Sequence, residues 1–369
     1  MGNEIKSAYE IDETIYQRFE QKNNMIYRRT WDKSLATYGK MFETNIQNHI
    51  NSHKEGYSRL DFALVAAGWT VYEKFPYAFM WERKELVDIG YGINWMKNEY
   101  KIKDNSEFTG WIKKAAKFYG ASLVGVADVN EKWIYKSGFV RPQLTSEADS
   151  KRNIREGKSM DSILETPINL PTGINKVIVM AIEMDEEAIS TAPAQPAAAA
   201  AAIAYSKMAF VIACLGEFIR NLGYRAIQCG NDTALSIPLA IDAGLGALGR
   251  HGLLITPEYG PRVRICKVFT DLPLIADKPN ISFIRKIENV CKSCINCAEA
   301  CETSAIPRDT EPNCNPKSIS NNPGVKKYYI DAEKCFKFWI ENSSDCGNCI
   351  AVCPFSKIKR YLKPQQFWK

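Results

Sequence analysis

The sequence predicts an α/β or α+β sandwich followed by a smaller cysteine-rich unit, and three observations predict it. Helix-like and β-branched stretches alternate through the middle of the chain. Nine of the twelve cysteines fall in the last 79 residues. Of the 369 residues 46% are hydrophobic and 24% charged, which is enough apolar material for a sizeable core without a disulfide scaffold. Three units are expected: a wrapping segment over 1–105, a core over 106–284 and the cysteine-rich unit over 285–369.

The first unit is polar, aromatic and irregular. EQKNNMIYRRTWDKS has no clean period and reads as an extended or wrapping segment, whereas GYSRLDFALVAAGWTVYEKF reads as a helix. SEFTGWIKKAAKFYG predicts a helix with Ser106 as N-cap and Gly120 as its stop. SLVGVADV reads as a short strand, and INKVIVMAIEM as a strand central in a sheet. A long helix is expected from about Gln195 to Asn221, closed by Gly223. YRAIQCGND follows as strand and turn, with further strands at GLLIT and RVRICKVFT. No repeat of 20 to 50 residues is present, which excludes solenoids and propellers.

The formal charge is +6. No run of 18 apolar residues occurs, so no membrane span is expected, and PAAAAAAIAYSKMAFVIACLG reads as a buried helix. Arg28-Arg29 has no apolar stretch behind it and does not read as an export signal. Lys6 sits where a myristoylation signal requires Ser or Thr.

The cysteines carry the most specific signal. Cys291, Cys294, Cys297 and Cys301 have the spacing of a bacterial ferredoxin ligand run. Cys335, Cys346, Cys349 and Cys353-Pro354 form a second set, with Cys314 left over. In two-cluster ferredoxins the last cysteine of each run ligates the other cluster. The same crossing gives Cys291, Cys294, Cys297 and Cys353 to a first [4Fe–4S] cluster, and Cys301, Cys335, Cys346 and Cys349 to a second. Two structural zinc sites are the plain alternative, which the triplet-plus-x3 run fits poorly. Glu302 stands where a proline usually follows the first run, and Cys335 is unusually far from Cys346. Two loaded clusters of about −2 each would leave the chain near +2, so net charge points to no nucleic-acid partner.

Two adjacent clusters make an electron wire, and a wire ends at something that reacts. Histidine is nearly absent, with only His49, His53 and His251, so neither a histidine triad nor a His-rich metal site is expected. AGLGALGRHG has glycines but follows a helix-like stretch and leads into a strand, the wrong context for a dinucleotide fingerprint. Its glycines suit close approach of backbone to a large flat ligand.

The stretch GYRAIQCGNDTALSIPLAIDAGLGALGRHGLLITPEYGPRVRICKVFTDLPLIADKP, followed by CKSCINCAEACETSAIP, resembles the corrinoid-dependent respiratory reductive dehalogenases, as does the early NNMIYRRTWD. The resemblance covers most of the chain. It implies a nitroreductase-like cobamide-binding core with a two-cluster ferredoxin-like unit, the cobamide held base-off without a histidine on cobalt. It implies Tyr205 as proton donor, Asn231 in the substrate cavity, Arg264 beside the tyrosine and Trp339 in the substrate channel. Gly249, Gly252 and Thr256 are the expected cobamide contacts. The implied partners are a small organohalide and a small membrane-anchor protein at the outer face of the cytoplasmic membrane; a homodimer is compatible with the resemblance, and the electron donor is left unnamed.

Chemistry agrees with those roles. Replacing halogen by hydrogen needs two electrons and one proton and releases a halide. A free tyrosine has a pKa of about 10, and a neighbouring guanidinium favours the phenolate. Asn231 can orient a phenol or a substrate without adding charge. Against this, a tyrosine on a long helix is usually a core residue, an arginine in a strand can simply pair with an acid, and GND is common turn chemistry. Rival readings are epoxyqueuosine reductase, which acts on tRNA with the same cofactors, a pure two-cluster electron carrier, and a corrinoid methyl carrier, whose D-x-H-x-x-G motif is missing.

Overall fold

A computed structural model describes residues 8–35, 38–74, 99–139 and 165–369. Lys6 and the final Phe75 of the expected N-terminal helix lie outside the described residues. The strands in chain order are β1 (Leu123–Asp128), β2 (Ser137–Phe139), β3 (Glu165–Pro167), β4 (Lys176–Glu183), β5 (Ala226–Cys229), β6 (Ala247–Leu248), β7 (Leu254–Ile255) and β8 (Val263–Thr270). The helices that position the site are α1 (Tyr38–Asn51), α2 (Arg59–Gly68), α3 (Thr70–Lys74), α4 (Asn105–Phe118), α5 (Gln195–Asn221) and α6 (Ser236–Asp242). In the cysteine-rich unit they are α7 (Ile281–Ser293), α8 (Ala332–Asn342) and α9 (Asn348–Ala351).

The core is one four-stranded sheet in the order β1-β4-β8-β5, every neighbouring pair antiparallel. This makes the fold α+β. Strand β4 is central, as its composition predicts, and the reason is visible in its alternation. Val177, Val179 and Ala181 enter one hydrophobic layer with Leu239 and Leu254, while Ile178, Met180 and Ile182 enter a second with Ile212 and Leu215 of α5. A strand covered on both faces must be apolar at every position, so no polar face remains.

Helix α5 has the expected bounds, and Gly223 ends it at φ +85°. Its mean hydropathy and length would suit a membrane span, yet 67% of its most apolar stretch is buried inside the protein. Its alanines let other elements approach closely. A Cβ on Gly68 of α2 would lie 2.8 Å from the Ala202 Cβ.

Three expectations are corrected. The N-cap of α4 is Asp104, whose carboxylate accepts from the amides of Ser106 (2.7 Å) and Glu107 (3.0 Å), so it satisfies two free helix donors where Ser106 was expected to do so. EQKNNMIYRRTWDKS is not extended throughout: it makes short helical turns at Gln21–Asn23, Met25–Arg28 and Lys33–Leu35. The boundary expected at 284/285 falls inside α7, which enters the cysteine-rich unit as a continuous helix ending in Cys291–Ser293. The early chain does run along the other units. Arg18 donates to the carbonyls of Ile134, Tyr135 and Ile168, Tyr9 donates to Pro238, and Ile11 pairs with Val325.

Candidate active site

Tyr205 sits midway along α5, on the side facing β8. Arg264 projects from β8 on the same face as Cys266 and Val268, so alternation along that strand aims it at α5. Its guanidinium carbon lies 5.4 Å from the centre of the Tyr205 ring. Asn231 comes from the turn after β5, and its amide donates to the Tyr205 hydroxyl at 2.7 Å. The three residues singled out in the sequence therefore meet, although they lie on a helix, a turn and a strand.

Two further aromatic residues complete the surround, and sequence reasoning missed both. Trp69, at the end of α2, stacks on Tyr205 with ring centres 4.9 Å apart and planes at 24°. Tyr72 of α3 meets the same ring edge-on at 5.3 Å. They arrive because α2 and α3 pack along α5. The N-terminal unit thus helps to build the site as well as wrapping the core. Burial pushes the Tyr72 hydroxyl well above its ordinary range.

The charges around the site are incompletely matched. Arg264 pairs with Asp345 at 3.6 Å, a long contact, and its Nε is buried with no hydrogen-bond partner among the described residues. Burial raises the Asp345 carboxyl and Arg264 opposes that rise. Behind Asn231, Lys267 is fully buried and donates to the Gly230 carbonyl (2.5 Å) and the Ser236 hydroxyl (3.0 Å). Burial also raises the Asp232 carboxyl, whose Oδ1 has no hydrogen-bond partner among the described residues.

The glycine-rich hairpin β6–β7 contains Gly249 and Gly252. A Cβ on Gly249 would lie 2.6 Å from the His251 ring and 2.7 Å from Ile255, and Gly252 has φ +73°. Thr256 is 1% exposed, and its hydroxyl is engaged in its own loop with Gly260 and Tyr259. His251 is buried, and burial lowers its pKa to about 4. Its Nδ1 accepts from the Leu253 amide at 3.2 Å, so the neutral ring carries its proton on Nε2. That Nε2 is buried and has no partner among the described residues. Trp339 packs with Phe336, Met25 and Leu35 in a satellite cluster on α8.

The cysteines assemble as two groups. Burial pushes the Cys297 thiol up to about 12, with Cys291, Cys353 and Cys294 the next contributors. It does the same for Cys335, where Cys346 and Cys301 follow. Cys349 is raised by burial and then by Cys335 and Cys346. The neighbours of Cys297 and Cys335 fall within their own sets, whereas Cys349 also has Cys297 of the other set beside it. Among the described residues no three Cys, His, Asp or Glu side chains are placed to hold a single metal ion. A cavity of about 420 Å³ lies elsewhere, between α1, α2 and the C-terminal residues Pro364 and Trp368, and includes none of these groups.

Comparison with known proteins gives a consistent result. Residues 144–274 match the family described as the reductive dehalogenase subunit, and residues 290–357 match the 4Fe-4S dicluster domain. The chain is 37% identical over 281 residues to a tetrachloroethene reductive dehalogenase of Desulfitobacterium hafniense, covering 71% of this chain and 50% of the relative. It is 36% identical over 330 residues to a tetrachloroethene reductive dehalogenase of Sulfurospirillum multivorans, covering 85% of this chain and 64% of that one. A solved reductive dehalogenase structure, described as suggesting a mechanism for B12-dependent dehalogenation, shares the fold. Its TM-score is 0.67 over 97% of this chain and 44% of that chain, at 20% identity. The chain spans about half the length of several curated relatives it matches.

Proposed function

The chain belongs to the reductive dehalogenase family, and on that footing we propose that it replaces a halogen by hydrogen on a small organohalide. The observation that carries the reading is the hydrogen bond from Asn231 to the Tyr205 hydroxyl beneath Trp69, with Arg264 beside the ring. The reaction consumes two electrons and one proton and releases a halide.

A cobamide is the cofactor this reading requires, and the residues present fit one. Nε of Arg264 and Nε2 of His251 are buried donors without partners among the described residues, and such groups are costly unless a ligand or water satisfies them. His251 offers an N–H and no free lone pair, so it can hold a polar group of the cofactor and does not ligate cobalt. Gly249 and Gly252 keep the hairpin narrow enough for a flat ring to approach. When bound, the cobamide would supply an electron-rich cobalt for cleavage of the carbon–halogen bond.

The protein's own groups do the rest. Tyr205 gives its hydroxyl proton to the carbon that loses the halide. Asn231 holds the phenol oxygen in place, and the fixed positive charge of Arg264 stabilises the phenolate left behind. Trp69 and Tyr72 exclude water and offer the apolar surface a small organohalide needs. Cys291, Cys294, Cys297 and Cys353 hold one [4Fe–4S] cluster, and Cys301, Cys335, Cys346 and Cys349 the other. Attachment at the outer face of the cytoplasmic membrane through a small membrane protein belongs to the same proposal.

Protein purified without oxygen from a corrinoid-supplied host tests the reading. A cobalt-to-iron ratio of about 1:8, with halide released from small chloroethenes, is expected. Full iron with no cobalt after reconstitution would favour an electron carrier, and a salt-dependent tRNA complex would favour epoxyqueuosine reductase chemistry.

A further inference from the structure

The turn of the glycine hairpin holds a residue that the proposed chemistry does not use. Arg250 is 1% exposed, and its side chain points away from the substrate side into the cysteine-rich unit. Its Nε donates to the carbonyls of Cys291 (3.0 Å) and Cys294 (3.2 Å). Nη1 donates to Pro307 (2.9 Å) and Asp309 (2.7 Å), and Nη2 to Cys291 and Lys292. Tyr328 stacks on the guanidinium at 4.1 Å. All these acceptors are backbone carbonyls, and no carboxylate pairs with Arg250 among the described residues. A buried, uncompensated positive charge therefore stands directly behind the Cys291–Cys297 loop.

The other cysteine set has carboxylates beside it. Glu302 follows Cys301 and accepts from the Asn348 amide at 3.2 Å, and Asp345, the partner of Arg264, precedes Cys346.

Reduction adds one electron to a cluster and makes it more negative, with no bond formed or broken. A nearby positive charge stabilises the reduced form and raises the potential, and negative charge lowers it. We infer that Arg250 beside one cysteine set and carboxylates beside the other order the two clusters, the one on Cys291, Cys294, Cys297 and Cys353 having the higher potential. The first electron to enter then rests on that cluster. The stronger reductant is the cluster whose ligand Cys346 follows Asp345, the partner of Arg264 at the substrate site. Arg250 is a positioning residue in this account, acting through the loop it holds. The inference rests on the proposed cysteine partition, which iron content tests separately.

The test is a redox titration of the holoenzyme followed by EPR, on preparations with matched iron. Arg250→Met is expected to lower the higher of the two potentials and leave the lower one in place, so that they converge. Arg250→Lys keeps the charge and loses the fork, and is expected to hold the higher potential near the parent value even if the methionine variant assembles poorly. Glu302→Gln is expected to raise the lower potential, by less because Glu302 is exposed. A shift of the lower potential in Arg250→Met, no shift at all at full iron, or a drop in Arg250→Lys as in Arg250→Met would overturn the inference.

Discussion

Asn231→Ala isolates the orientation of the proton donor from the donor itself. The substitution removes the 2.7 Å hydrogen bond to the Tyr205 hydroxyl and little else, because Asn231 is exposed and its carbonyl still accepts from Tyr135. A neutral hydrogen bond contributes about 0.5–1.5 kcal/mol net. If that energy holds the phenol in its reactive position, kcat for halide release falls roughly twofold to tenfold. Stability should hardly move, since an exposed side chain leaves no unsatisfied buried partner. The assay is initial-rate halide release at matched cobalt and iron, beside a thermal melt. An unchanged kcat would mean that the hydrogen bond does not position the donor. A loss as deep as that of a Tyr205 variant would mean that Asn231 touches the reacting atoms itself.

Trp69→Ala removes a ring stacked 4.9 Å from Tyr205, a contact class contributing about 0.5–1.5 kcal/mol beyond buried area. It should lower kcat/KM by up to about tenfold with both metals retained, as steady-state kinetics would show. Burial holds His251 neutral, with its pKa near 4, whereas an unfolded histidine takes up a proton near 6.5. Its contribution to stability is therefore complete above about pH 6.5 and is lost as the pH falls towards 4, an effect of order 3 kcal/mol. Thermal midpoints measured between pH 7 and 4.5 should fall more steeply in the parent than in His251→Gln. Gly260 has φ +57°, and a Cβ there would lie 2.0 Å from the Phe355 carbonyl oxygen. Gly260→Ala should then cost about 2 kcal/mol or more and loosen the seam between the core and the cysteine-rich unit, which a melt and an iron assay would register.

Much of this architecture is legible in the chain because local patterns agree with the global fold. The bounds of α5 follow from a long alanine-rich, mainly apolar stretch closed by Gly223, and the central place of β4 from its β-branched run. The cysteine spacing fixes the cluster unit without reference to the rest. What escapes is whatever depends on docking between distant segments. Trp69 and Tyr72 lie about 130 residues before Tyr205, and nothing local marks them as its neighbours until α2 packs against α5. Arg250 is hidden for the same reason: its acceptors are backbone carbonyls, which sequence does not display. Trp339 shows the converse. The resemblance assigns it to the substrate channel, and helix α8 packs it in a cluster with Met25 and Leu35 that sequence does not display. Thr256 has the hydroxyl a ligand contact needs, but its own loop already uses that hydroxyl.

The central claim is that Tyr205 supplies the proton, and Tyr205→Phe tests it most directly. The substitution keeps the ring stacked on Trp69 and edge-on to Tyr72 and removes only the hydroxyl. With cobalt and iron matched to the parent, the account predicts a loss of halide release of about 10²- to 10⁴-fold, the range for removal of a general acid. Release within a few-fold of the parent, with both metals in place, would contradict it.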